Sequence, residues 1–162
     1  MRPLIPFLLL VAGCPARLPP PTAAPSATVP VGAILDAWHA AAAASDLDAY
    51  FRLMTEDAIF LGTDATERWD VAELRAYAEP PFSEGRGWVF EVLRRDVVVQ
   101  GDLAWFDEDL RGERLGPARG SGVLRREDGR WRIAHYNLAL TVPNERFDEV
   151  RRLLDGTAPN DP

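Results

Sequence analysis

The chain contains no lysine. All 18 basic residues are arginine, set against 25 acids, for a formal net charge of −7. An acidic chain with scattered arginines argues against a nucleic-acid partner, because a duplex is held by clustered positive charge. The single cysteine, Cys14, rules out an intramolecular disulfide and any cysteine-rich metal site. Two histidines, His39 and His135, are too few for a three-histidine zinc site. The apolar run from Leu4 to Val11 is too short to cross a bilayer as a helix. No metal or cofactor is implied.

That short run has a different use. Arg2 supplies a positive start, and the run ends in Val11-Ala12-Gly13-Cys14, the aliphatic-small-small-cysteine pattern of a bacterial lipoprotein signal. The resemblance implies cleavage after Gly13, a diacylglyceryl group on the thiol of Cys14, and acylation of the new N-terminus. Two or three acyl chains anchor stably where one is marginal. Residues 1–13 are therefore expected to be a signal peptide. Residues 14–30, rich in Pro, Ala and Thr, are expected to form an extended tether with no core to bury. The expected address is the bacterial cell envelope, on the periplasmic or cell-surface side. The remaining chain is long enough for one domain, placed at 31–156, followed by a disordered tail at 157–162.

Apolar residues Val31, Ile34, Leu35, Trp38, Ala41 and Ala42 recur at helical spacing. His39, beside Trp38 and an alanine run, is expected at the surface. Asp46 starts a second short helix, Thr55-Glu56-Asp57 reads as a turn, and Ala58 to Leu61 as a buried strand. The loop GTDATERW at 62–69 carries acids, hydroxyls and a tryptophan; its Asp64 is either a pocket acid or a turn-stabilising residue. Asp70 and Glu73 have capping-box spacing for a helix that should stop at Pro80-Pro81.

Two hairpins follow. The first, over 87–110, turns at Gln100-Gly101-Asp102 and is apolar on both faces near Trp88 to Leu93. Its Asp107 faces either Arg94, as an ion pair, or Asp96, where crowded carboxylates would raise one pKa. The second, Ala118–Glu127 with Arg130–Leu140, turns at Asp128-Gly129, a dipeptide suited to two consecutive positive φ angles. A regular ladder then opposes Leu124 to Ile133, Gly122 to His135 and Gly120 to Asn137. Trp131, Ile133, His135 and Asn137 would share a face, with two glycines opposite that either leave room for a cavity or let the sheet bend. Trp88 and Trp105 are candidate pocket walls, and Asp64 and Asp107 candidate rim acids. Arg119 falls on the other face unless a bulge brings it inside. Asn144 is expected to cap a final amphipathic helix. Helices on one side of a strongly curved, mostly antiparallel sheet give an α+β class.

From Val31 to Asn144 the chain resembles a SnoaL-like domain of the nuclear transport factor 2-like superfamily. The resemblance is carried by ILDAWHAAAAASDLDAYFRLM, DAIFLGTDATERW, DLAWFDEDL and GSGVLRREDGRWRIAHYNLALTVPN. It implies a cone in which helices fold over a curved sheet and enclose a pocket, often with dimerisation through the sheet. Relatives include steroid isomerases, polyketide cyclases, dehydratases and non-catalytic binding or assembly domains. Dehydratase-type relatives use a His/Asp pair with pocket tyrosines, which His135 with Asp107 or Asp64 could imitate. Many relatives have His where this chain has Asn137, a departure from a two-histidine site. Three functions remain open: a binding module for a small apolar or amphipathic ligand, an isomerase, dehydratase or cyclase using His135 as acid/base, and a structural homodimer.

Overall fold

A computed structural model describes residues 28–156, with side chains from residue 31 onward. Cys14, most of the tether and the tail lie outside the described residues. Helix α1 (Thr28–Ala43) begins three residues before the expected domain boundary and carries Pro30 in its first turn, where the missing N–H has no intrahelical partner to lose. Its face of Val31, Leu35, Trp38, His39 and Ala42 is buried. Helix α2 (Leu47–Arg52) is capped by Asp46, which accepts from the Ala49 N–H at 2.9 Å.

Strand β1 (Met54–Leu61) starts earlier than expected, so Thr55, Glu56 and Asp57 are strand rather than turn. It pairs in parallel with β6 (Arg130–Leu140) and takes its ladder hydrogen bonds there, which overrides the polar composition of the segment. The loop after β1 holds the two-residue strand β2 (Arg68–Trp69). Helix α3 (Val71–Ser83) has the capping box of Asp70 and Glu73, but it runs through Pro80-Pro81 instead of stopping there. Leu74, Ala78 and Phe82 form one buried stripe, and burial of Phe82 holds the last turn in place despite two absent N–H donors.

The sheet has the order β2-β1-β6-β5-β4-β3, with β3 (Phe90–Gln100), β4 (Leu103–Gly112) and β5 (Gly116–Glu127) antiparallel throughout. The closing turn is as expected, with positive φ at Asp128 (51°) and Gly129 (75°). Its ladder holds as far as Leu124 opposite Ile133. There a β-bulge places Ala134 as an extra residue on β6, and Val123 opposes His135. Every residue beyond it changes face relative to the regular ladder. Tyr136 and Leu138 turn inward, while His135 and Asn137 turn outward.

Helices α1, α2 and α3 cover the inner face. Among the described residues no helix covers the outer face, and a cross-strand row of Val98, Trp105, Val123, His135 and Ile59 runs across it. Asn144 lies in a 3-10 turn with no side-chain cap bond, so the expected cap is absent. Helix α4 (Phe147–Leu154) then projects its apolar residues into solvent, with Leu153 74% and Leu154 83% exposed.

Candidate functional site

One cavity of about 260 Å³ opens between the helices and the inner face of the sheet. Half of its lining residues are Phe, Tyr or Trp. Trp38 stacks on Tyr50 with ring centroids 4.6 Å apart, and Trp69 stacks on Tyr77 at 4.5 Å. Trp88 stands edge-on to Tyr50 at 5.6 Å. The rings come from α1, α2, β1, β2, α3, β6 and the segment entering β3, so no local stretch of sequence builds the pocket alone. Thr63 and Glu67 line it from the loop after β1, and Arg114 and Leu115 from the turn between β4 and β5.

A buried polar network stands behind this cavity. Glu108 on β4 is fully buried. One carboxylate oxygen accepts from His39 Nε2 at 2.7 Å and from the Tyr136 hydroxyl at 3.1 Å. The other accepts from Arg95 Nε at 2.8 Å, and Arg95 continues to Asp36 at 2.7 Å. Burial alone would push the Glu108 carboxyl up. The hydrogen bonds and positive charges of His39 and Arg95 outweigh it and hold the group below its ordinary value. Burial pushes the Tyr136 hydroxyl well up, and the Glu108 charge adds to the effect. An ionised Glu108 can only accept, so His39 donates to it through Nε2. Among the described residues Nδ1 has no hydrogen-bond partner, and His39 lines the cavity.

Gly120 and Gly122 serve this network. A Cβ on Gly120 would overlap the Tyr136 hydroxyl and the Glu108 carboxylate, and one on Gly122 would collide with the His135 carbonyl and the Phe106 ring. The space expected opposite them is therefore filled by packed side chains and bulged backbone.

Of the residues expected to form the pocket, Trp88 lines the cavity. Trp131 and Ile133 are buried on the inner face but pack in the core away from it. His135, Asn137, Trp105, Asp107 and Arg119 gather on the outer face, separated from the cavity by the sheet. The bulge at Ala134 explains the first two. Asp107 does oppose Asp96, yet Arg94 bridges both and Asp109, so the crowded acids form an ion-pair cluster. Arg119 also reaches Asp109, at 3.4 Å. Asp64 is exposed and bonds the Thr66 N–H and hydroxyl at 2.8 and 2.6 Å, the turn-stabilising alternative. The two polar residues at the heart of the site, His39 and Glu108, were missed. His39 was expected at the surface and is 9% exposed. The signals existed: His39 lies four residues after Leu35, and Glu108 alternates with Ala104, Phe106 and Leu110 on one strand face.

Among the described residues, no group of three or more His, Cys, Asp or Glu converges as a metal site.

The SnoaL-like domain family model matches residues 31–143. The chain belongs to the SnoaL-like domain family. Solved structures place this SnoaL-like domain in the nuclear transport factor 2-like fold. A nuclear transport factor 2-like protein of unknown function from Pseudomonas putida is 18% identical, with a TM-score of 0.63 over 74% of this chain and 92% of its own. A provisionally named dehydratase of the same fold from Streptomyces avermitilis is 15% identical, with a TM-score of 0.61 over 71% and 96%. A provisionally named ketosteroid isomerase from Parabacteroides distasonis is 18% identical, with a TM-score of 0.57 over 70% and 86%. At these identities the likeness concerns the fold. No curated protein matches the SnoaL-like chain in sequence.

Proposed function

We propose that this SnoaL-like protein is a membrane-tethered binding module whose inner cavity takes a small, flat, largely apolar ligand. The observation that carries the reading is the aromatic lining of the 260 Å³ cavity. An apolar cavity of about 150 Å³ is enough to bind benzene, so this one has room for a one- or two-ring molecule. Anchoring through Cys14 would hold the module at the cell envelope, and the tether would keep the cavity clear of the bilayer. The bare outer face, with Trp105 45% and Val98 48% exposed, supports a homodimer formed through the sheet.

The direct test is titration with an anilinonaphthalene fluorescent probe. Wild type should bind it, and Thr63→Trp, which fills the mouth from an exposed loop position, should weaken binding at least about tenfold, the equivalent of about 1.4 kcal/mol. Absence of wild-type binding, or a Thr63→Trp variant that binds equally well, would sink the reading.

The His39–Glu108 pair favours a second reading, proton transfer at carbon. An imidazole that lines the cavity and is oriented by a buried carboxylate is equipped for general acid/base work. His39 takes over the role expected of His135, and Glu108 that of the pocket Asp. Solvent deuterium exchange into 2-tetralone, followed by NMR, measures it. Exchange no faster than in buffer, or unchanged in His39→Ala, would retire this alternative.

A further inference from the structure

The polar groups at the back of the cavity are already committed to one another or sealed. Tyr136 spends its only proton on Glu108. His39 spends Nε2–H on the same carboxylate. The Trp38 indole N–H has no partner, but it is sealed below the cavity surface. Tyr50, Tyr77, Trp69 and Trp88 also line the cavity and bring neutral O–H and N–H groups along with their π-faces.

Glu67 adds an acceptor and a charge. Its carboxylate lies over Gly62, in the space that a Cβ there would claim. Among the described residues it accepts one hydrogen bond, from the Asp64 N–H at 3.1 Å, and meets no arginine. Other acids of the domain are neutralised: Asp57 is met by Arg125, Asp102 by Arg126, and Asp109 by Arg94 and Arg119. Arg114 is the one arginine among the described lining residues, and it stands exposed at the mouth, where water and salt screen it within about 8–10 Å. Glu67 is half-buried against the cavity.

A half-buried carboxylate without an ion-pair partner, set beside a wall of aromatic π-systems, is complementary to one kind of ligand. Resting on the binding reading above, we propose that the ligand is an organic ammonium ion with an aromatic or compact apolar body. Its cationic nitrogen sits on the Glu67 side of the cavity, within reach of the π-systems of Trp69 and Trp88, and its body fills the space toward Tyr50 and Phe60. Carboxylate pairing offsets the cost of partly desolvating the cation, and the indole rings add quadrupole attraction, strongest for tryptophan.

Three probes of one size and different charge test this: phenethylammonium, 2-phenylethanol and phenylacetate. They are titrated by calorimetry into the full chain carrying Cys14→Ser, which leaves no acyl chains to absorb apolar probes. Phenethylammonium should bind about tenfold more tightly than the alcohol, the scale of a partly desolvated cation–π contact with a carboxylate partner. Glu67→Gln should remove most of that preference and leave the alcohol unchanged, which also shows that the variant is folded. Equal affinity for ammonium and alcohol overturns the ligand class and leaves the pocket reading standing. So does tightest binding of phenylacetate, which would give the decisive role to Arg114. Binding of none of the three overturns the proposal too. The anilinonaphthalene titration then tells whether the pocket reading falls with it.

Discussion

Glu108 is the side chain whose loss the domain should tolerate least. A carboxylate with no exposure is held by His39, Tyr136 and Arg95 at 2.7, 3.1 and 2.8 Å. Removing it strands a half-buried arginine and two donors. Glu108→Ala is expected to cost roughly 3–5 kcal/mol in denaturant melts, as breaking buried ion pairs does. Asp107→Ala, one residue away on the solvent face, should stay within about 0.5 kcal/mol. A Glu108→Ala cost below that of Asp107→Ala would refute the picture of a structural network. The acid limb provides a second check. The folded-state pKa of Glu108 lies below its unfolded value. Its contribution is therefore present above the unfolded value of about 4.3 and is lost as pH falls through the lower folded value. The stability gap between wild type and Glu108→Gln should narrow below about pH 4, and a gap that stays constant would count against an ionised Glu108.

At the scale of elements, one inserted residue decides the site. With a regular ladder, His135 and Asn137 face the helices. With the bulge at Ala134, Tyr136 and Leu138 do. The regular register was legible because turn type fixes the pairs nearest the turn, and it holds through Leu124 and Ile133. Nothing local marks the bulge. It appears when Tyr136 must reach Phe60 and Glu108 across strands far away in sequence. Helix α4 shows the opposite case. Its apolar spacing was legible, yet Phe147, Leu153 and Leu154 are exposed and its neighbour is the preceding 3-10 turn. Ending the chain after Arg146 should shift the thermal midpoint by less than about 4 °C, since almost no burial is lost. A larger fall would mean that α4 packs on the domain, or on a second copy of it.

For the whole molecule, the bare outer face and the lipid signal make separate predictions. Light scattering of the full chain carrying Cys14→Ser should give about twice the monomer mass, with Trp105→Glu reducing it to monomer while the far-ultraviolet dichroism is kept. The reason is that a charge placed in the row of Val98, Trp105 and Val123 opposes burial against its own symmetry mate. A wild-type monomer at micromolar concentration would remove the dimer. Expressed in a bacterial host, the unmodified chain should partition with membranes and into detergent, and Cys14→Ser should not. Equal solubility of the two would remove the anchor.

The sequence by itself determined the class of the fold, the helical start, the capping box of α3, both hairpin turns and the family. These rest on short-range physics: helical period, strand alternation, and the positive φ that Asp128-Gly129 accommodates. It also contained, unread, the clues that His39 and Glu108 face inward. Only the tertiary structure decided the cavity, because its rings come from seven separate stretches of chain whose meeting depends on sheet curvature and helix packing. The sides taken by His135 and Tyr136 were likewise decided there, since a strand's alternation says which residues share a face but not which face is covered, and one bulge reverses the answer.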